Sequence, residues 1–220
     1  MPQKPERMHE FFDQRAEGYE DHMRRSLESF DRFYTFVAEQ VEPTERQIAV
    51  LDLGCGTGLE LRGVFARAPA ARITGVDVSK QMLQRLRCTF KDFSDQLRLV
   101  HGSYLSISPA PEAYDYVLAV QTLHHLTAQE KESLYRRIWA ALRSGGKYIE
   151  GDYVVSPEVE KQLLEKYSRQ KDDAGEDGLH HIDIPFSVAT QRCLLFRGGF
   201  TSVEVVFDDA QCAVLAARKD

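Results

Sequence analysis

The sequence predicts an α/β protein: a doubly wound, mostly parallel sheet of seven strands with helices on both faces. Three observations predict it. Short apolar runs of strand length alternate with longer stretches whose apolar residues recur at helical spacing, the order expected of βαβ units. The first run, Ile48-Ala49-Val50-Leu51-Asp52-Leu53, enters a glycine-rich turn and then a helix. Two β-rich runs joined by a short turn close the chain at 201–207 and 212–217. A chain of 220 residues is long enough for one such domain with a real core.

In chain order, 8–18 places Met8, Phe11, Phe12 and Ala16 on one helical face, and Gly18 interrupts it before Tyr19, His22 and Met23. A second helix over 30–41 carries Phe30, Phe33, Tyr34, Val37 and Val41 on one side and ends at Pro43. Phe11, Phe12 and Tyr34 read as packing. These helices, 1–44, precede the first strand and so extend the sheet domain, 45–220. Strands follow at 48–53, 72–77, 97–101, 116–120 and 147–150. Between them lie helices at 80–93 and 128–142, the second ended by Arg143-Ser144-Gly145-Gly146. Later come a charged helix at 157–171, an acidic loop at 172–178 and a helix at 187–196.

The turn carries the chemistry. Asp52 leads Gly54, Gly56 and Gly58, and glycine lets a ligand approach the main chain while the next helix offers unpaired N–H groups. Alone this indicates a nucleotide-like ligand at a strand end. A second acid, Asp77, ends the second strand about 20 residues on, where a ribose-binding carboxylate belongs. Alternatively Asp77 caps the helix that starts near Ser79.

DLGCGTG followed by GVDVS resembles the first two motifs of the class I S-adenosylmethionine-dependent methyltransferases. The glycines fall as acid-x-Gly-x-Gly-x-Gly rather than the GxGxxG of dehydrogenases. The likeness continues through YDYVLAVQTLHHL and LRSGGKYIEGDY and is nearest to generic small-molecule members. It implies the Rossmann-like methyltransferase fold, with 1–44 lying over the cofactor pocket as a lid. It implies S-adenosyl-L-methionine as cofactor: Asp52 facing its ammonium, Gly54, Cys55, Gly56 and Gly58 along the methionine part, Asp77 on the ribose and Val78 on the adenine. Cys55 contributes only its backbone. Ser103 and Tyr104 follow the third strand, where the family more often has an acid for the adenine amino group; a hydroxyl can accept that bond instead. Gln121 stands beside cofactor and acceptor, and Tyr19 reaches the cofactor or the substrate.

Three residues are candidates for acid–base work. His124 is one, as the side-chain type whose unperturbed pKa is near neutral, although THHL also reads as a plain turn into the next helix, with at most one of two adjacent histidines facing the cleft. Glu150 and Asp152, around Gly151, read as two carboxylates at the cleft mouth. With His180, His181 and Asp183 they suggest a metal, but no pair has the helical spacing of a metalloprotease site, and the expectation is no metal. The HHIDIP loop resembles a substrate-facing wall of the family.

Net charge −6 argues against nucleic acid, and Arg24, Arg25 and Arg32 give only a hint of a basic rim. Four scattered cysteines, the lack of a membrane-length apolar run and a polar start argue for a cytoplasmic protein with reduced thiols. The expected partner is a small-molecule methyl acceptor; a second copy of the chain is a further candidate. A non-catalytic binder of the cofactor or its product, and a nicotinamide-dependent oxidoreductase, are the rival readings.

Overall fold

The computed structural model of the chain describes residues 6–174 and 181–220. It opens with α1 (Met8–Arg15), a 3₁₀ turn (Ala16–Gly18), α2 (Tyr19–Ser26) and α3 (Phe30–Glu39). The alternating part runs β1 (Ala49–Leu53), α4 (Leu61–Arg67), β2 (Arg72–Asp77), α5 (Lys80–Thr89), β3 (Leu97–His101) and β4 (Tyr114–Val120). It continues through α6 (Ala128–Ala141), β5 (Leu142–Tyr153), α7 (Pro157–Ala174), α8 (Val188–Arg197), β6 (Ser202–Asp208) and β7 (Cys212–Arg218).

The seven strands form one sheet in the order β3-β2-β1-β4-β5-β7-β6. The first five are parallel, and β7 inserts antiparallel between β5 and β6. The strand order reverses between β1 and β4, so their carboxyl ends open the crevice in which such sheets hold ligands.

Alternate residues of each strand feed two cores. Val50, Leu118, Ile149 and Val214 pack under Phe33, Val37, Leu61, Val64 and Leu86 from α3, α4 and α5. Leu51, Leu53, Val117, Tyr148 and Leu215 pack under Leu134, Ile138, Leu194 and Leu195 from α6 and α8. Strands covered on both faces must be apolar on both, hence the near-continuous apolar runs. Gly151 makes room for α3 on the sheet: a Cβ there would stand 2.8 Å from Phe33 Cζ.

Several boundaries differ from the sequence reading. The first amphipathic stretch is two helices broken by the 3₁₀ turn at Gly18. α3 stops at Glu39, before Pro43, with Gln40 as its cap. α5 stops at Thr89, and 91–96 are 3₁₀. α6 ends at Ala141 because Leu142 already has φ −70° and ψ 141° and pairs with Tyr114 in the sheet. The glycines thus turn the chain inside β5, where Gly145 has φ +76°, instead of capping α6. The first residues of the expected acidic loop, 172–174, prolong α7; 175–178 lie outside the described residues. Among the described residues no helix is long and apolar enough to cross a membrane.

Candidate functional site

The backbone of the first turn builds a cradle. Gly54, Gly56 and Gly58 have φ of +72°, +47° and +78°, values costly for residues with a Cβ. They do different work. A Cβ on Gly54 would lie 2.1 Å from Thr122 Oγ1, and one on Gly58 would lie 2.9 Å from Phe90 Cε2. Those two glycines let the loop pack on its neighbours. A Cβ on Gly56 would meet nothing nearer than the Gly54 carbonyl at 4.0 Å, so the space beside it is free for a ligand.

Asp77 ties this loop down. Its Oδ2 accepts from Gly56 N–H at 2.9 Å and its Oδ1 from Ser79 N–H at 2.8 Å. Ser79, not Asp77, is the N-cap of α5, accepting from Met82 N–H. Burial pushes the Asp77 carboxyl up, while those two N–H groups pull it down.

A narrow cavity of about 40 Å³ lies between this cradle and the N-terminal helices. Gly54, Gly56, Asp77, Val78, Ser103, Tyr104 and Gln121 line it, under a roof of Met8, Phe12 and Tyr19. Tyr104 is fixed by its hydroxyl donating to Thr122 O at 3.0 Å, and Arg137 clamps the loop behind it through the carbonyls of Leu105 and Ile107, each at 2.9 Å. The Ser103 hydroxyl accepts from Leu105 N–H at 3.2 Å and keeps a free lone pair.

Not every residue of the motif faces this cavity. The Cys55 side chain turns into the core against Gly75, whose Cβ would lie 2.8 Å from Sγ. Gly58 borders a separate groove beside α4 and α5. Asp52 is buried under the loop, and neither of its oxygens has a hydrogen-bond partner. Glu60, also buried, faces it. Burial, then mutual repulsion, lifts Asp52 far above the usual carboxylate range; burial lifts Glu60 to about 7. Two buried carboxyls with no cation beside them cannot both ionise. They fit a ligand that brings a positive charge, as the ammonium of S-adenosylmethionine does, and Gly56 supplies the open cradle for it.

A second cavity, of about 570 Å³, adjoins the first and shares Phe12, Tyr19, Gln121 and His125 with it. Gln121 sits in this common wall with φ +53°, a strained conformation for a side chain of its type. Its Nε2 donates to Cys212 Sγ at 3.3 Å, and its Oε1 is buried without a partner.

His124 lines the larger cavity. Its Nδ1 lies 2.6 Å from Asp152 Oδ1, so Nδ1 carries the proton and Nε2 is left with the lone pair. Asp152 is itself held by the N–H groups of Leu123 and Tyr153, each at 2.9 Å. Burial works to raise its carboxyl, but its contacts with the His124 imidazole, Lys131 and the Tyr153 N–H outweigh burial and hold the group below the usual range.

Two expectations fail here. The segment 123–125 is a 3₁₀ turn, not an extended strand, so both imidazoles reach the same cavity, their ring centres 4.0 Å apart. Glu150 is not at the cleft. It accepts from Tyr135 Oη at 2.7 Å, Tyr148 Oη at 2.8 Å and Gln191 Nε2 at 2.7 Å, with Lys131 Nζ 3.5 Å away. That network lies under α6 and α8 and is fully enclosed, so Glu150 holds helices to the sheet. Asp152, two residues nearer the strand end, supports His124 without facing the cavity itself.

The larger cavity also draws on residues without a local signal. Phe12 walls both cavities instead of packing, and Phe11 stacks on His181 with ring centres 3.6 Å apart. Asp13 receives Ser79 Oγ–H at 2.6 Å and Gln81 N–H at 3.2 Å. No short-range pattern could pair Asp13 with a strand end 66 residues away. His181 and Asp183 complete the wall; His180 lies outside the described residues.

A seven-stranded sheet of this order, with a glycine cradle at β1 and an acid at the end of β2, is the arrangement of the class I S-adenosylmethionine-dependent methyltransferases. The comparisons agree: residues 50–146, just under half of the chain, match the family model for a methyltransferase domain. The protein is an enzyme with S-adenosylmethionine as its cofactor. Its curated relatives include the carboxy-S-adenosyl-L-methionine synthase of Wolinella succinogenes, 26% identical over 77% of this chain and 75% of that one. The Helicobacter hepaticus protein of the same name is 24% identical over 96% and 94%. Among solved structures, a candidate O-methyltransferase of Nostoc punctiforme superposes with TM-score 0.73 and 22% identity, over all of this chain and 63% of the other. Human N-acetylserotonin methyltransferase, solved with the cofactor, superposes with TM-score 0.60 and 19% identity, over 84% and 51%.

Proposed function

We propose that the protein moves the methyl group of S-adenosylmethionine to a small molecule held in the 570 Å³ cavity. The observation that carries this reading is the common wall: Phe12, Tyr19, Gln121 and His125 border both the cradle and the larger cavity. A ligand in one is therefore in reach of a ligand in the other. When bound, the cofactor supplies an already activated methyl group. The protein's share is to hold donor and acceptor in line and keep water out. Asp52 and Glu60 are assigned to the ammonium, Gly54 and Gly56 to the methionine backbone, Asp77 to the ribose, and Val78, Ser103 and Tyr104 to the adenine.

His124 presents Nε2 to the acceptor as the group that takes a proton from an attacking hydroxyl or amine. Asp152 fixes its tautomer and stabilises the imidazolium that forms. Residues 1–44 act as the lid on 45–220. The narrow cavity falls well below the roughly 300 Å³ of the smallest usual ligand pockets. Hence α1 draws back when the cofactor enters. Both cavities are walled by one chain, so the reading asks for no second copy. Four free cysteines suit the reducing cytoplasm.

The test is transfer of label from methyl-labelled S-adenosylmethionine to a panel of small alcohols, phenols, amines and thiols. The expected result is a methylated product with release of S-adenosylhomocysteine, about 100-fold slower in His124→Asn for an acceptor that must lose a proton. Bound cofactor that no acceptor ever consumes would overturn it. The relatives' names favour a second reading, in which the cofactor is itself the acceptor: its S-methyl carbon takes the carboxyl group that a carboxylic-acid co-substrate loses, and the methyl proton passes to the carbon the carboxyl leaves. Mass spectrometry of the same reactions with a panel of carboxylic acids added separates the two: that reading yields a heavier sulfonium and no methylated product.

A further inference from the structure

The loop 181–187 meets the 3₁₀ turn 123–125 where Ile184 N–H donates to His124 O at 2.7 Å. Their juxtaposition gathers His124, His125 and Asp183, one donor atom of each lying within 4.8 Å of the others. Asp183 Oδ1 is 3.0 Å from His125 Nδ1 and 3.9 Å from His124 Nε2. His181 Nε2 stands 3.8 Å from the same oxygen.

Two independent features show that this cluster is built for a ligand. The first is His125. Its ring is buried, 7% exposed, and neither nitrogen makes a hydrogen bond, since the contact with Asp183 lacks the alignment of one. An imidazole always carries a lone pair or an N–H on each nitrogen, so leaving both unmet in the interior is costly. The second is Asp152. It takes the Nδ1 proton of His124 at 2.6 Å and leaves Nε2 aimed at the cluster. A carboxylate behind a histidine in this way is the support that metal-ligating imidazoles commonly have.

We propose that His124 Nε2, His125 Nδ1 and Asp183 Oδ1 form a site for a divalent first-row transition metal ion, open toward the acceptor cavity, with His181 in reach as a fourth ligand. Two donors on such an ion stand about 3–4 Å apart, given bonds of about 2.0–2.2 Å, so the cluster needs little closing. Two nitrogens and one oxygen select zinc or its neighbours over magnesium and calcium, which prefer all-oxygen shells. The sequence spacing gave no hint because the ligands sit on a 3₁₀ turn and a loop 58 residues apart, not one helical turn apart.

The site stands on its own geometry; its use rests on the methyl-transfer reading. An ion here takes the lone pair that otherwise accepts the acceptor's proton. It would serve the same end by holding the acceptor's oxygen or nitrogen at its open position and making the attached proton acidic enough to leave to water as the methyl group arrives.

The test uses the full chain stripped with a chelator and titrated with Zn²⁺, with Mg²⁺ as the hard-ion control and Co²⁺ as the optical probe. The expected result is a single Zn²⁺ per chain, no Mg²⁺ binding, and visible Co²⁺ bands of a low-coordinate site. Asp183→Asn, at a half-exposed side chain that leaves the core intact, should weaken Zn²⁺ at least about 10–100-fold, and His125→Asn likewise. Zn²⁺ affinity unchanged in both variants, or a Co²⁺ spectrum identical to the hydrated ion, would overturn the site. S-adenosylhomocysteine binding is measured in parallel and should persist in Asp183→Asn, whose side chain borders only the larger cavity. A chain that binds Zn²⁺ but no S-adenosylhomocysteine breaks the methyl-transfer reading and leaves the metal site standing; the reverse result does the opposite.

Discussion

At the scale of single residues, Gly54 and Gly56 separate folding from binding. Gly54→Ala drives a Cβ to 2.1 Å from Thr122 Oγ1 at a φ of +72° and should destabilise the fold by about 2–4 kcal/mol. Gly56→Ala meets open space, so only its φ of +47° counts, about 1–2 kcal/mol. Its methyl fills the cradle, and cofactor binding should be lost while the protein stays folded. Urea unfolding and calorimetric binding on the two variants check this; equal stability losses with intact binding in both would contradict it. These glycines and Asp77 were legible in the sequence because their spacing in one βαβ unit carries the geometry. Glu150 was misread for the opposite reason. Strand alternation puts it and Asp152 on one face, but nothing local says that Tyr135, Tyr148 and Gln191 close over one of them. Glu150→Gln strands Lys131 in the core, so a loss of roughly 3–5 kcal/mol is expected, with methyl transfer per folded molecule retained. A large drop in turnover at unchanged stability would restore Glu150 to the active site.

At the scale of elements, the carboxyl ends of β1 and β2 and the start of α4 set the charge of the cradle. Glu60 at the head of α4 faces Asp52 on β1, with Asp77 on β2, Cys55 in the turn, and Tyr19 and Tyr34 on the helices above. Every one of these is neutral or acidic. Folding raises the Glu60 pKa from its ordinary 4.5 to about 7, so the folded state binds a proton that the unfolded chain releases. This group's contribution to stability is therefore full below about 4.5 and is lost as pH rises through about 7. Unfolding of the cofactor-free protein should show that decline, and Glu60→Gln should flatten it. A cationic ligand reverses the balance by favouring the ionised pair, so binding should release protons and tighten as pH rises toward about 7. Titration in buffers of different ionisation enthalpy reads that release directly; proton uptake instead would contradict the assignment of this pair to the ammonium. The strands and helices were legible from periodicity, with boundary errors where a helix passed into 3₁₀ or straight into a strand, at the end of α3 and in the length of α7. Glu60 lies two residues past the last motif glycine, but its pairing with Asp52 is a matter of side-chain direction, which spacing did not reveal.

At the scale of the molecule, the N-terminal helices close over the cradle through polar contacts. Asp13 caps α5 through Ser79 Oγ and Gln81 N–H, Arg85 donates to Glu17 O at 2.7 Å, and Arg62 pairs with Glu20 at 3.2 Å. Such contacts are individually weak, so α1 and the 3₁₀ turn draw back while α3, whose Phe33 and Val37 pack in the sheet's core, stays in place. Asp13→Ala removes charge-assisted bonds worth about 1.5–3 kcal/mol in the closed state. Stopped-flow mixing should show faster cofactor entry, by about tenfold or more; an unchanged rate would mean that 1–44 is not the gate. The resemblance implied that 1–44 lies over the pocket, but none of these contacts was visible in the chain read end to end, because they join segments far apart in sequence. The fold, by contrast, was legible almost whole, since each strand and helix announces itself locally and the handedness of βαβ units leaves few ways to assemble them.

The central claim is that the cradle binds S-adenosylmethionine and delivers its methyl group to the adjoining cavity. Calorimetric titration of wild type and Asp77→Ala with S-adenosylmethionine, S-adenosylhomocysteine and NAD tests it most directly. The expected result is binding of the first two to wild type and none of NAD. In Asp77→Ala the affinity should fall at least about tenfold, because the ribose loses its acceptor and Gly56 N–H its anchor. Binding of NAD, or no binding of either sulfur nucleoside by wild type, would contradict the account.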